Sequence, residues 1–246
     1  MAGAHVRYSP PRLINPMVIG NENAALSLDS VEVGHDVLMC CGFESDGAVL
    51  ESDASIGGLL DCGAGRFLNS NGLALGVGET IIKGSVFLAQ NPYGYAGNFA
   101  ADGVVFFSKA QVGGSFFVLH AKFAGKAAEA HGFVADLLNV QGAFVWQDVD
   151  LENGALLDLS GASVGGLHDE ERSWPQPGKL MIDNFTYAFG SGLLFGQVPV
   201  ESPRDARSRL RWLGLQNGYH LQPLSATCQS AARDSNPHGG SPTREF

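Results

Sequence analysis

Charge is scarce in this chain. Asp, Glu, Lys and Arg make up 16% of its 246 residues, and the acids outnumber the bases to leave a net charge of −10. Such a chain carries no basic stripe for a phosphate backbone, which excludes nucleic acid as a general partner. Long apolar runs are also missing. None approaches the roughly 18 residues that a membrane-crossing helix needs, so no transmembrane segment is expected. The first residues, MAGAHVRYSPPRL, lack the apolar stretch of a signal peptide, so a cytoplasmic location is expected, with peripheral membrane association left open. Cysteine is sparse at four residues: Cys40 and Cys41 side by side, Cys62, and Cys228. No CxxC and no Cys/His pair has metal-ligand spacing. No GxGxxG joins a strand to a helix, because Gly76-Val77-Gly78 falls inside a repeat. No cofactor and no metal is expected.

Glycine is plentiful, at 33 residues, and apolar residues make up 45%. Their order carries the fold. With Gly114 as an origin, Val105, Phe107 and Val112 lie nine, seven and two positions before it, and Phe116 and Val118 two and four after. Apolar residues at steps of two mean strands with one buried face. The step of three from Phe107 to Ala110 breaks the alternation, so the chain bends there. The same offsets recur around His35, Gly58, Gly84, Gly142 and Gly166. Nine before the origin the column reads Leu26, Val49, Leu75, Val105, Phe133, Leu157. Two before, it reads Val33, Ile56, Ile82, Val112, Val140, Val164. Two after, it reads Val37, Leu60, Val86, Phe116, Phe144 and then His168, where the pattern stops.

These origins lie 23, 26, 30, 28 and 24 residues apart. That period, with strand alternation inside it, predicts an all-β fold: a right-handed parallel β-helix, or β-solenoid, of about six to seven coils. A sandwich of hairpins would place Asn-Gly or Asp-Gly turns between antiparallel strands. Asp46-Gly47, Asn71-Gly72, Asp102-Gly103 and Asn153-Gly154 occur only once per period, which fits one corner per coil better. Residues 1–23 read as a leader and partial cap, with Met17 and Ile19 as a partial rung. Residues 24–189 are the solenoid, closed by a seventh half-coil with Leu180, Ile182, Phe185 and Tyr187. Residues 190–202 read as a linker. Residues 203–224 read as a helical segment opened by Ser202-Pro203, with Ala206, Leu210 and Leu213 as its apolar stripe. Its arginines either lie on the acidic column or face water. Residues 225–246 have no apolar period and are expected to be disordered.

Two long spacings mark insertions at residues 90–102 and 120–131. Stacked coils would set these loops side by side on one edge, and loops on a rigid scaffold are where binding tends to sit. The candidate partner-binding residues are Tyr93, Tyr95, Asn98, Phe99, His120, Lys122, Lys126 and His131. The alternative is that the aromatics pack on the column. The acidic run after Gly166, His168-Asp169-Glu170-Glu171, is expected to be a solvated turn, and Cys62 a small core side chain.

The coils, of the form LxLxxAxIGGxL, lead into Leu167-His168-Asp169, Ser173-Trp174-Pro175-Gln176-Pro177-Gly178, Leu180 and Asp183-Asn184-Phe185-Thr186-Tyr187. Arg209-Leu210-Arg211-Trp212-Leu213 and Gln222-Pro223 follow. This resembles bacterial pentapeptide-like β-solenoid proteins with a SWPxPG/DGFTY linking motif and an RLxWL helical tail, over roughly residues 24 to 224. The chain departs from the pattern at Asn184, where the family has Gly, and at Leu224, where it has Tyr. The family is often labelled membrane-associated oxidoreductase, but the resemblance supplies no catalytic residue to carry over. The function expected from the residues is a non-catalytic scaffold or protein-interaction module. The alternatives are a polysaccharide-active enzyme using paired carboxylates among Asp61, Asp148, Asp150 and Glu152, or a redox enzyme as the label implies.

Overall fold

A computed structural model describes residues 12–13, 17–19, 22–90, 97–124, 131–188 and 206–216. It is a β-solenoid of about six coils with one short helix near its C-terminal end. Each coil has four sides. Two sheets run the length of the column, each folded around a corner.

The predicted columns are the stacking register. On the first side Leu26 pairs with Val49, Val49 with Leu75, Leu75 with Val105, Val105 with Phe133, Phe133 with Leu157, and Leu157 with Leu180. On the second side Val33, Ile56, Ile82, Val112, Val140, Val164 and Tyr187 follow one another in parallel. The last pairs on each side, through Leu180–Met181 and Thr186–Tyr187, are the expected half-coil. The third side stacks Val37, Leu60, Val86, Phe116 and Phe144. There the structure corrects the sequence reading. Phe144 pairs with Leu167, not His168, because the register shifts between Val140 and Ala143. The sixth coil is one residue shorter at that corner, so the pattern continues through it.

A fourth side has no counterpart among the columns expected from the sequence. It consists of Glu44–Asp46, the first residues of Arg66–Gly76 and of Ala100–Phe106, Lys122–Ala124, and Asp150–Glu152. Ser45, Phe67, Ala101, Phe123 and Leu151 stack inward along it. Two of its short strands, at 100–102 and 122–124, fall within the spans expected to be insertions, because only three residues per coil carry the alternation. The four Asn-Gly and Asp-Gly pairs all sit at the corner between the fourth and first sides, as the one-corner-per-coil argument expects.

The bend between Phe107 and Ala110 has a backbone cause. Five positions before each origin the residue is left-handed: Ser30, Asp53, Glu79, Lys109 and Leu137 have φ between 55° and 59°, and Gly161 has φ 68°. Asn184 takes the same place in the half-coil at φ 59°. Asn and Gly are the residues that tolerate this conformation best, so Asn in place of Gly is physically conservative there. A second left-handed corner, between the third and fourth sides, uses Cys41, Ala64, His120 and Asp148.

Between the second and third sides the coils touch backbone to backbone. A Cβ on Gly84 would lie 2.6 Å from the Gly58 carbonyl oxygen and 2.9 Å from the Leu59 nitrogen. Backbone cannot swing aside as a side chain can, so Gly84→Ala should cost about 2 kcal/mol in urea unfolding. Wild-type stability in that variant would mean the coils stack more loosely than this. Within the column, Val112 is buried between Ile82 and Val140, while Gln111 beside it is exposed. Val112→Asp should lose roughly 2–3 kcal/mol and Gln111→Asp under about 1 kcal/mol. Equal drops in melting temperature would contradict the register.

Aromatic rings fill the interior. Phe43, Phe67, Phe99, Phe123 and Trp146 form a ladder with successive centroids 5.4, 5.5, 5.6 and 5.9 Å apart. Cys62 is fully buried, as expected of a core side chain. At the N-terminal end, Arg12–Leu13 pairs in parallel with Glu44 and Ser45, giving a partial rung. Met17–Ile19 instead pairs antiparallel with Glu22–Ser27. It lies over the first strand of the first coil, as a partial rung would, but runs opposite to the coil strands.

Candidate interaction edge and its cap

The two insertions leave the column from opposite ends of the fourth side. The third coil's insertion departs after Val86–Ala89 and returns at Phe99 and Ala100–Phe106, between the third and fourth sides. The fourth coil's insertion departs after Lys122–Ala124 and returns at His131–Val134, between the fourth and first sides. Their attachment points therefore lie at the two ends of the fourth side. Tyr93, Tyr95 and Lys126 lie outside the described residues, as does the side chain of His131.

Asn98 is exposed, but Phe99 is fully buried in the aromatic ladder. Phe99 is thus a core residue and is withdrawn from the binding edge. It faces inward because it precedes a fourth-side strand whose alternation buries Phe99 and Ala101. His120 and Lys122 are on the surface, each tied to the coil above. His120 Nδ1 bonds the Asp148 carboxylate, and Lys122 Nζ lies 2.6 Å from Glu152 Oε1. The hydrogen bond and charge of Glu152 raise the Lys122 pKa, keeping it cationic. Asp148 also faces Arg172 at 3.6 Å. All three acids of this coil thus have basic neighbours, since Lys122 also stacks in register with Asp150, and Asp61 lies three coils away.

The ladder continues into the acidic run, which is not a solvated turn. His168 and Asp169 pair with Val145 and Trp146 on the third side, and both are buried, as is Glu170. Glu170 accepts from the Asp148 N–H, from Ser173 Oγ at 2.8 Å and from Arg172 Nε at 2.8 Å. Burial pushes its carboxyl up, but these donors outweigh burial and hold it below the usual range. Ser173 also receives Trp146 Nε1 on its carbonyl and the Val149 N–H on its hydroxyl. The segment between the sixth coil and the half-coil is therefore bonded down onto the end of the column.

Asp169 organises the cap. It takes a two-pronged ion pair from Arg209, both contacts 2.7 Å, and a hydrogen bond from Trp174 Nε1 at 2.9 Å. Arg209 belongs to α1 (Ala206–Leu213), the described part of the expected helical segment. The helix presents Arg209 and Trp212 to the column, while Leu210 is 54% exposed and Leu213 37%. The predicted stripe of Ala206, Leu210 and Leu213 thus faces away. The buried Asp169 charge needs a partner more than the leucines need cover. Trp212 packs on Phe185 and Tyr187, and the Arg209 guanidinium lies over the Tyr187 and Trp212 rings. Arg211 pairs with Glu171 at 2.6 Å, so the helix does lie on acids. Beyond it, Gln216 bridges in parallel to Leu180 and covers part of the open rung.

One residue escaped the sequence reading altogether. Glu51 stands seven before its origin, in an inward column whose other members are Leu28, Val77, Phe107, Ala135 and Leu159. It is fully buried, and neither carboxyl oxygen has a hydrogen-bond partner. Burial, and then the nearby Asp29 charge, push its pKa up to about 8. A lone charged residue in an apolar column was the signal available.

Among the described residues, no group of three or more His, Cys, Asp or Glu is disposed to hold a metal ion, and no helix is long and apolar enough to cross a membrane. No protein-family model, no curated protein and no solved structure matches the chain.

Proposed function

We propose that the protein is a non-catalytic scaffold that binds a partner protein along the fourth side. Asn98, His120 and Lys122 form its described rim, with residues 91–96 and 125–130 attached beside them. The observation that supports this is the placement of the two insertions. Their attachment points bracket one strip of a column whose interior beneath is filled by Phe99, Phe123 and Trp146. A packed core fixes the strip, and loops attached at its two ends are where a partner would gain specificity. The resemblance to pentapeptide-like solenoid proteins and the cytoplasmic location belong to the same proposal.

The test replaces 91–96 and 125–130, singly and together, with short Gly-Ser links. Cross-linking through Lys122 and Lys126 in wild type should yield a defined partner that the double replacement no longer captures, at an unchanged melting temperature. Capture that persists without both segments would overturn the reading. So would a flavin or nicotinamide that co-purifies in stoichiometric amount.

A further inference from the structure

Cys40 and Cys41 stand at the left-handed corner between the third and fourth sides of the first coil. Neighbouring residues on a strand point to opposite faces. Here Cys41 has φ 61°, which leaves the strand geometry and turns its side chain toward that of Cys40. The two sulfurs are 2.9 Å apart, less than 1 Å beyond a disulfide bond of about 2.05 Å. Both residues are partly exposed. Cys62, by contrast, is fully buried.

We propose that Cys40 and Cys41 are a dithiol–disulfide site, closed by a small-molecule disulfide such as oxidised glutathione and reopened by mild thiols. One cysteine, as its thiolate, attacks a sulfur of the oxidant and expels one thiol, leaving a mixed disulfide. The second cysteine attacks the protein sulfur of that bond and expels the other thiol. The protein loses two protons and two electrons, and one oxidant molecule becomes two thiols. Adjacent Cα atoms are held about 3.8 Å apart, closer than the span at which disulfides relax, so the bond is strained and easily reduced. Strained, accessible disulfides are the labile and regulatory ones rather than the structural ones. Burial, the Cys41 thiol and the Asp61 charge push the Cys40 thiol up to about 12. A thiol held so high is a poor nucleophile, so Cys40 does not make the first attack.

The experiment equilibrates the full chain with oxidised glutathione, alkylates remaining thiols, and maps the product by mass spectrometry. Cleavage after Glu44 and Glu51 separates Cys40 and Cys41 from Cys62 and Cys228. The expected product is a peptide with both cysteines linked and no glutathione attached, reverting under a mild dithiol. Cys40→Ser should instead trap glutathione on Cys41. Phenylarsine oxide, which bridges two thiols and releases its oxygen as water, should protect both residues of wild type from alkylation and neither in the variant. A stable glutathione adduct on wild type, a link to Cys62 or Cys228, or two thiols still alkylated at equilibrium would each overturn the proposal.

Discussion

Asp169→Ala should cost about 4 kcal/mol in urea unfolding, although it removes a residue from a segment that reads as a polar turn. Both Asp169 and Arg209 are buried, and their paired contacts are 2.7 Å each. Deleting one partner of such a pair leaves a buried charge with no counter-ion, which typically costs about 3–5 kcal/mol. The Trp174 indole N–H loses its acceptor in the same step. The chain has two responses. Arg209 stays buried and uncompensated, or α1 detaches, which strips Trp212 from Phe185 and Tyr187 and exposes the last rung. Arg209→Ala should cost a similar amount. The double variant should then cost much less than the two singles added, because each single already loses the whole interaction. Single losses under about 1 kcal/mol, or strict additivity, would mean that the ion pair does not hold the cap.

Glu51→Gln should change how stability depends on pH. The carboxyl titrates at about 8 in the folded protein against an ordinary 4.5. The folded state therefore keeps a proton that the unfolded chain releases above 4.5. Stability from this residue is fully present below pH 4.5 and is lost as pH rises through about 8. Each pH unit in that window is worth about 1.4 kcal/mol, so the loss between pH 5 and 8 is on the order of 4 kcal/mol. Glu51→Gln has nothing to ionise and should escape the loss. Its stability relative to wild type should climb steadily from pH 5 and level off above 8. Glu51→Val, matching the rest of the column, should gain at every pH and most at high pH. Parallel pH curves for wild type and Glu51→Gln would show that this carboxyl finds a partner or reaches water.

The polar cap and this buried acid mark where local reading stops working. Asp169 and Glu170 sit in a run of charge followed by Ser, Trp and Pro, the composition of an exposed turn. They are buried because Arg209 on the helix, and Ser173 with Arg172 nearby, answer their charge. The leucines at 210 and 213 have helical spacing, yet the helix turns the other way to seat Arg209 and Trp212.

Much was determined by the sequence itself. A solenoid coil buries its residues against the same positions of the next coil, so each inward column is written as a repeat, and Val112 between Ile82 and Val140 follows from periodicity alone. So does the corner before each Ala110-like position, because a broken alternation must bend. What only the tertiary structure decided is whatever depends on meetings without a period. Three-residue strands of the fourth side are too short to show alternation, so Phe99 read as a loop aromatic. The one-residue shortening that carries Leu167 into register is visible only once the strands pair. The ion-pair partner of Asp169, Arg209, lies 40 residues away in sequence and is set by how the chain end folds back on the column. Repetition is local and legible, whereas a cap is met once and forms only in three dimensions.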